Sequence, residues 1–263
     1  MKSDITISFM ISKSLVFGFI LSYILNTTSY LSFISIFIGY FLGYFFLNNY
    51  MNKKHKLNNI LLLIIDIVLL LFILFNLSYQ ANNFFLKNTP TIFIILLFFI
   101  VLIYGASKKL EGLSNLVVIL FPINITLILL GIIFNIENYN IISINNINLL
   151  SILLNIFITL VVSIIPIIIY INTNDNYNKK HILTGYILSG LVITITSLNC
   201  IFTNGPTIIS NYYFIEYITY KKIHLLDFIE RIENIISVYS LLDFIVLGII
   251  ILLNIKNLYN KNT

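Results

Sequence analysis

The chain has 263 residues, of which 59% are hydrophobic and 10% charged, with a formal net charge of +5 and a mean hydropathy of +0.99. A soluble domain carries roughly 25% charged residues, so this complement cannot coat a water-facing surface of this size. The basic residues are scattered through short loops and form no basic face with interleaved aromatics, which argues against a nucleic-acid surface.

A hydrocarbon core about 30 Å thick needs about 20 apolar residues per helix. The sequence predicts eight such spans, at about 7–26, 30–49, 59–78, 91–107, 113–134, 149–171, 182–202 and 235–255. Polar stretches separate them: Asn26 to Thr28, Asn52 to Lys56, Asn82 to Thr89, and Asn172 to Lys180. Hydrocarbon offers no partner for a free N–H or C=O, so the spans must be helices. The expected fold is an all-α polytopic membrane protein, one transmembrane domain over 1–263 in contact with the lipid bilayer. The first apolar run is not followed by a small-residue cleavage site and reads as a retained span.

Lysine and arginine set the orientation. With the N-terminus in the cytoplasm, eleven basic residues fall inside: Lys2, Lys13, Lys53, Lys54, Lys56, Lys108, Lys109, Lys179, Lys180, Lys256 and Lys261. Lys87, Lys221, Lys222 and Arg231 fall outside and complete the 15. Both termini are therefore expected in the cytoplasm. Lys13 is expected to snorkel from the inner end of the first span and is given no role. The stretch 203–234 is too charged to span and reads as an outer loop with amphipathic helical pieces lying on the bundle or at the interface. Its Tyr212, Tyr213, Phe214, Tyr217 and Tyr220 are expected at headgroup level.

No catalytic constellation is present: there is no G-x-S-x-G, H-E-x-x-H or phosphate-binding glycine loop, and the expectation is not an enzyme. Cys200 is the only cysteine, which excludes an internal disulfide and a C-x-x-C site. His55, His181 and His224 are far apart in loops, so neither a metal nor a cofactor is expected.

The informative residues are ionisable or helix-breaking groups inside spans. Asp66 lies about 10 Å into the third span and Asp243 about 12 Å into the eighth, at a cost of about 2.5–3.5 kcal/mol each on insertion scales. Each reads either as a proton, cation or substrate-amine site, or as a carboxylate hydrogen-bonded for packing alone. Gly18 allows close backbone approach or local unwinding in the first span, and Pro122 and Pro166 each free a carbonyl. Asn155 and Thr159 lie one turn apart and present polar groups either to a cavity or to a neighbouring helix. Gly39 and Gly43 form a G-x-x-x-G, read as internal packing. Glu230 and Glu233 share a helix face beside Arg231, where acidic groups favour the positive end of the helix dipole.

Several stretches in order resemble a known family. Lys87-Asn-Thr89-Pro90, then Gly105 to Leu116 with Glu111, then Leu120-Phe121-Pro122-Ile-Asn-Ile-Thr126, and finally Asp227-Phe-Ile-Glu230-Arg231-Ile-Glu233-Asn234 are similar to the motifs of the endospore germination permeases. These are the B subunits of germinant receptors, a branch of the amino acid–polyamine–organocation transporters. The resemblance implies a five-plus-five inverted-repeat (LeuT-like) fold, here incomplete because the second repeat would lack its last two helices. It implies a solute site between helices one, three, six and eight. Gly18 and Ser22 would then fall at the unwound part of helix one, Asn155 and Thr159 at that of helix six, and Asp66 and Asp243 beside the site. The implied function is sensing or moving an amino acid or similar solute, with the receptor's A and C subunits as partners, in a bacterial cell or spore inner membrane. The alternative is a membrane scaffold subunit that binds no solute.

Overall fold

The computed structural model describes residues 2–53, 58–139, 148–174, 176–209, 214–222 and 232–262, and every element among them is helical. The chain opens with α1 (Lys2–Ser14), a π-helical turn (Val16–Ile20), α2 (Leu21–Thr28) and a 3-10 turn (Ser29–Leu31). It continues with α3 (Ser32–Lys53), α4 (Asn59–Phe84), α5 (Thr91–Ser107), α6 (Lys109–Asn135) and a 3-10 turn (Ile136–Asn138). The last elements are α7 (Leu149–Thr173), α8 (Lys179–Ile209), α9 (Ile215–Lys221) and α10 (Ile232–Asn262). Side-chain caps open three of these helices: Asn58 accepts from the Ile60 N–H at α4, Asn148 from Leu150 and Ser151 at α7, and Asn178 from Lys180 and His181 at α8. Gly205 bends α8 with a φ of 69°, a left-handed conformation that glycine alone adopts freely.

The molecule is a multi-pass integral membrane protein. Six segments are long and apolar enough to cross a bilayer: Ser32–Lys53, Asn59–Phe84, Lys109–Asn138, Leu149–Thr173, Lys179–Gly205 and Asn234–Asn260. Two helices that occupy predicted spans fall outside this set. Thr91–Ser107 is shorter, and the first path is interrupted between α1 and α2.

That first path is the centre of the bundle. α1 packs against α8, α6, α10 and α7, and Ile7, Phe9, Met10, Ile11, Leu15 and Val16 are all buried. It begins at Lys2, several residues before the predicted boundary, because its polar positions face protein. Ser8 donates back to the Asp4 carbonyl of its own helix, while Ser12 meets Ser189 of α8 and Lys13 is held by other helices. Lipid faces show the reverse pattern: Ile60, Val68 and Leu71 on α4, Ile92 and Ile100 on α5, and Ile119 and Ile133 on α6 are exposed. The apolar window of α10 is 61% buried and that of α6 only 22%, which separates inner from peripheral helices.

α9 is one of the helical pieces expected in this stretch, and it lies on the bundle. Ile215, Glu216, Thr219 and Tyr220 are buried, and the helix packs on α10, α8 and α6. Tyr220 is wholly buried; its ring lies against Gly131 of α6, where the missing side chain makes room. Phe214 packs against Tyr79 and Phe84, and Tyr217 stacks on Phe84 with centroids 4.0 Å apart. Tyr212 and Tyr213 lie outside the described residues.

Candidate functional site

The two in-span carboxylates separate into different environments. Asp243 of α10 is buried, and its Oδ2 lies 2.6 Å from the Lys13 ammonium of α1. Asn124 of α6 closes the triangle: Lys13 Nζ donates to its Oδ1 at 2.7 Å, and its Nδ2 donates to Asp243 Oδ1 at 3.3 Å. The rings of Phe9 and Phe17 flank the ammonium at 5.4 and 5.3 Å from their centroids, within the range of cation–π attraction.

The expectation that Lys13 snorkels to the interface is overturned. It lies about 16 Å along α1 from Lys2, in the last turn before the π-helical segment, and its side chain is buried inside the bundle. Asp243 lies about 14 Å from Asn234 along its own helix. Three polar side chains thus meet deep in the bundle, where an unpaired charge would be prohibitive and a paired one is tolerated.

The backbone around this triangle is irregular. Gly18 falls in the π-helical turn that begins three residues after Lys13, and single π turns occur often at functional sites. Pro122, inside α6, lacks the N–H that would bond the Val118 carbonyl, two residues before Asn124. A narrow recess is lined by Lys13, Phe17, Asn124, Ile236, Tyr239, Ser240 and Asp243. A second recess, lined by Phe17, Gln80, Phe84, Glu216, Tyr217, Ser237 and Ser240, shares Phe17, Ile236 and Ser240 with the first. Ser240 donates to Gln80 Oε1 at 3.3 Å, so polar groups run from α9 down to the triangle. Phe17 stands between the two recesses.

Asp66 is not part of this arrangement. It is buried on α4, and its Oδ2 accepts from Asn254 Nδ2 of α10 at 2.7 Å. Asn254 lies about 16 Å along α10 from Asp243.

The other expected site residues do different work. Asn155 Nδ2 donates to Thr27 Oγ1, Thr28 Oγ1 and the Ile24 carbonyl, so it caps the C-terminal end of α2. Thr159 donates to the Asn155 carbonyl, and its side chain packs where Gly39 has none. Both act as interhelical ties, and neither lines the two recesses described above. Ser22 accepts from the Ile215 N–H at 3.2 Å and joins α2 to α9. Gly43 packs against the Tyr186 hydroxyl, so the G-x-x-x-G face is an internal contact.

Among the motif residues, Thr89 and Pro90 form the turn into α5, with the Thr89 N–H donating to the Leu86 carbonyl. Glu111 is exposed in the first turn of α6. Phe121 meets Phe9 edge to face with centroids 5.0 Å apart, which helps hold α1 beside α6. Glu230 and Arg231 lie outside the described residues, and Glu233 is placed only by its backbone in the first turn of α10.

Sequence reasoning missed Lys13 and Asn124. The signal for Asn124 is present, since an amide in an apolar run needs partners, but the chain's many asparagines give no local pattern that singles this one out. A family model described as spore germination protein matches residues 55–261. That stretch contains the motif residues from Thr89 to Glu233 together with Asp66, Asn124 and Asp243, and it begins after Lys13, Gly18 and Ser22. No curated protein and no solved structure matches the chain.

Proposed function

Because the chain belongs to the spore germination permease family, we propose that it binds a small zwitterionic solute, such as an amino acid, at the Lys13–Asn124–Asp243 triangle. The observation that carries this reading is an ammonium and a carboxylate 2.6 Å apart, buried beside a recess and a π-helical turn. A zwitterion carries the complementary pair of charges. Its carboxylate would take Lys13, its ammonium would take Asp243, and Asn124 can donate or accept toward either. The solute would exchange one satisfied ion pair for two, leaving no buried charge alone.

In this reading all eight apolar helices cross the membrane, with both termini in the cytoplasm and the helices arranged on a five-plus-five inverted-repeat plan. The Phe17 ring separates the triangle from the recess beside α9, so solute would arrive past it. The protein would work with germinant-receptor A and C subunits in a bacterial cell or spore inner membrane.

The second reading, a scaffold subunit that binds no solute, is favoured by one observation: Lys13 and Asp243 already satisfy each other. Thermal unfolding of the purified full chain in detergent, with panels of amino acids, nucleosides and sugars, separates the two. A ligand that binds only the folded state at 100 times its Kd adds about 2.7 kcal/mol. Saturable stabilisation by an amino acid supports the solute reading, and a flat response to every amino acid overturns it in favour of the scaffold.

A further inference from the structure

The Asp66–Asn254 contact leaves two oxygens with nothing to accept from. Asp66 Oδ2 takes the Asn254 amide N–H, yet Asp66 Oδ1 and Asn254 Oδ1 are both buried and unpartnered. Two acceptors cannot bond each other unless one carries a proton. A single proton on Asp66 Oδ1 turns it into a donor toward Asn254 Oδ1 and satisfies both atoms at once. The result is the cyclic pair of a carboxylic acid with a primary amide, two antiparallel hydrogen bonds closing one ring.

The surroundings favour the same state. Asp66 is the only charged residue on α4, which packs chiefly against α10 and α5. α5 contributes only Tyr104 as a titratable group; it is exposed, and the Lys108 ammonium sits 5.1 Å above its ring. On α10, Lys256 is exposed and lies two residues beyond Asn254, on the opposite side of the helix. Asp243 lies about three turns away and is already held by Lys13. Among the described residues, no cation faces Asp66. A metal ion fits poorly, since hard cations take six or more oxygens and this site offers two. No group of metal-ligating side chains occurs among the described residues.

We propose that Asp66 is a proton-binding site, its carboxylic acid closed into a ring with the Asn254 amide, separate from the solute triangle. The step needs no co-reactant beyond a proton from solvent: one O–H bond forms on Asp66 Oδ1 and the carboxylate charge is discharged. The inference does not depend on the solute reading, because its readout requires no solute.

Infrared spectroscopy of the purified full chain at neutral pH tests it. The parent should show a carboxylic-acid carbonyl band that is lost in Asp66→Asn and retained in the double variant Lys13→Met/Asp243→Leu. Asp66→Asn rebuilds the ring as an amide–amide pair with the same two hydrogen bonds, so it should unfold at the parent's temperature. Asn254→Leu, which removes the ring partner, should shift the band while leaving it present. Absence of the band, its survival in Asp66→Asn, or marked destabilisation of Asp66→Asn overturns the proposal. So does stabilisation by sodium or potassium chloride, relative to choline chloride, that disappears in Asp66→Asn, since that outcome assigns the site to a metal cation.

Discussion

The Lys13 ammonium and the Asp243 carboxylate meet 2.6 Å apart across α1 and α10, each almost wholly buried. Charges removed from water this way stabilise little as a pair, while removal of one partner leaves an uncompensated charge worth about 3–5 kcal/mol of destabilisation. Lys13→Met should therefore lower the unfolding temperature sharply, as should Asp243→Leu. The double variant Lys13→Met/Asp243→Leu should recover most of the loss, because no charge is left behind and the volumes are similar. The same double variant should no longer be stabilised by any amino acid. Thermal unfolding of the three variants with and without solute checks both statements; a double variant that still responds to solute places the binding site elsewhere.

Phe17 lines both recesses and is the bulkiest of the three residues they share. Phe17→Ala should join them and move the preference of the site toward bulkier solutes. Comparing thermal stabilisation by alanine with that by leucine and phenylalanine, in parent and variant, reads this directly. An unchanged ranking would show that the solute's side chain does not extend toward α9.

Asn155 is a cap on α2 and lines neither recess, so its removal should affect stability without affecting binding. Its amide donates to three acceptors at the end of α2, and interhelical hydrogen bonds inside membrane proteins contribute about 0.6–2 kcal/mol. Asn155→Ala should cost that much in unfolding and leave solute affinity within a factor of about two. A large loss of affinity at parent-like stability would return Asn155 to the site.

Legibility in the sequence followed the direction each side chain faces. The apolar helices were readable because lipid imposes one rule on every outward position, and Ile60, Val68 and Ile119 obey it. α1 was misjudged because hydropathy scores a helix as though it met lipid, whereas this one meets protein on all sides. Its serines and Lys13 therefore looked like a late start and a snorkelling flank. Asp243 stood out as a charge in an apolar run, but its partners come from α1 and α6, 230 and 119 residues away, and no local pattern announces them. α9 was legible only as a helical piece on the bundle or at the interface, and only the gap at Gly131 shows where Tyr220 goes. Asparagine illustrates the limit most plainly. Asn124, Asn155 and Asn254 bridge the helices at the points that matter, yet composition gave no means of separating them from the many others.

Glycines at helix crossings give a graded test of the packing itself. A methyl at Gly185 of α8 would overlap both Ser8 Oγ and the backbone carbonyl of Ile5 on α1. A backbone carbonyl cannot rotate aside, so α1 would have to move as a unit, and α1 carries Lys13. At Gly248 of α10 the nearest atoms are the terminal methyls of Leu102, 2.9 Å away, which can change rotamer. Overpacking costs about 1–3 kcal/mol when neighbours cannot yield. Gly185→Ala should fall in that range and weaken solute binding, because displacing α1 moves the ammonium relative to Asp243. Gly248→Ala should cost less and leave binding intact. Equal effects from the two substitutions, measured by unfolding temperature and solute affinity, would mean that α1 is not seated against α8 at this close crossing.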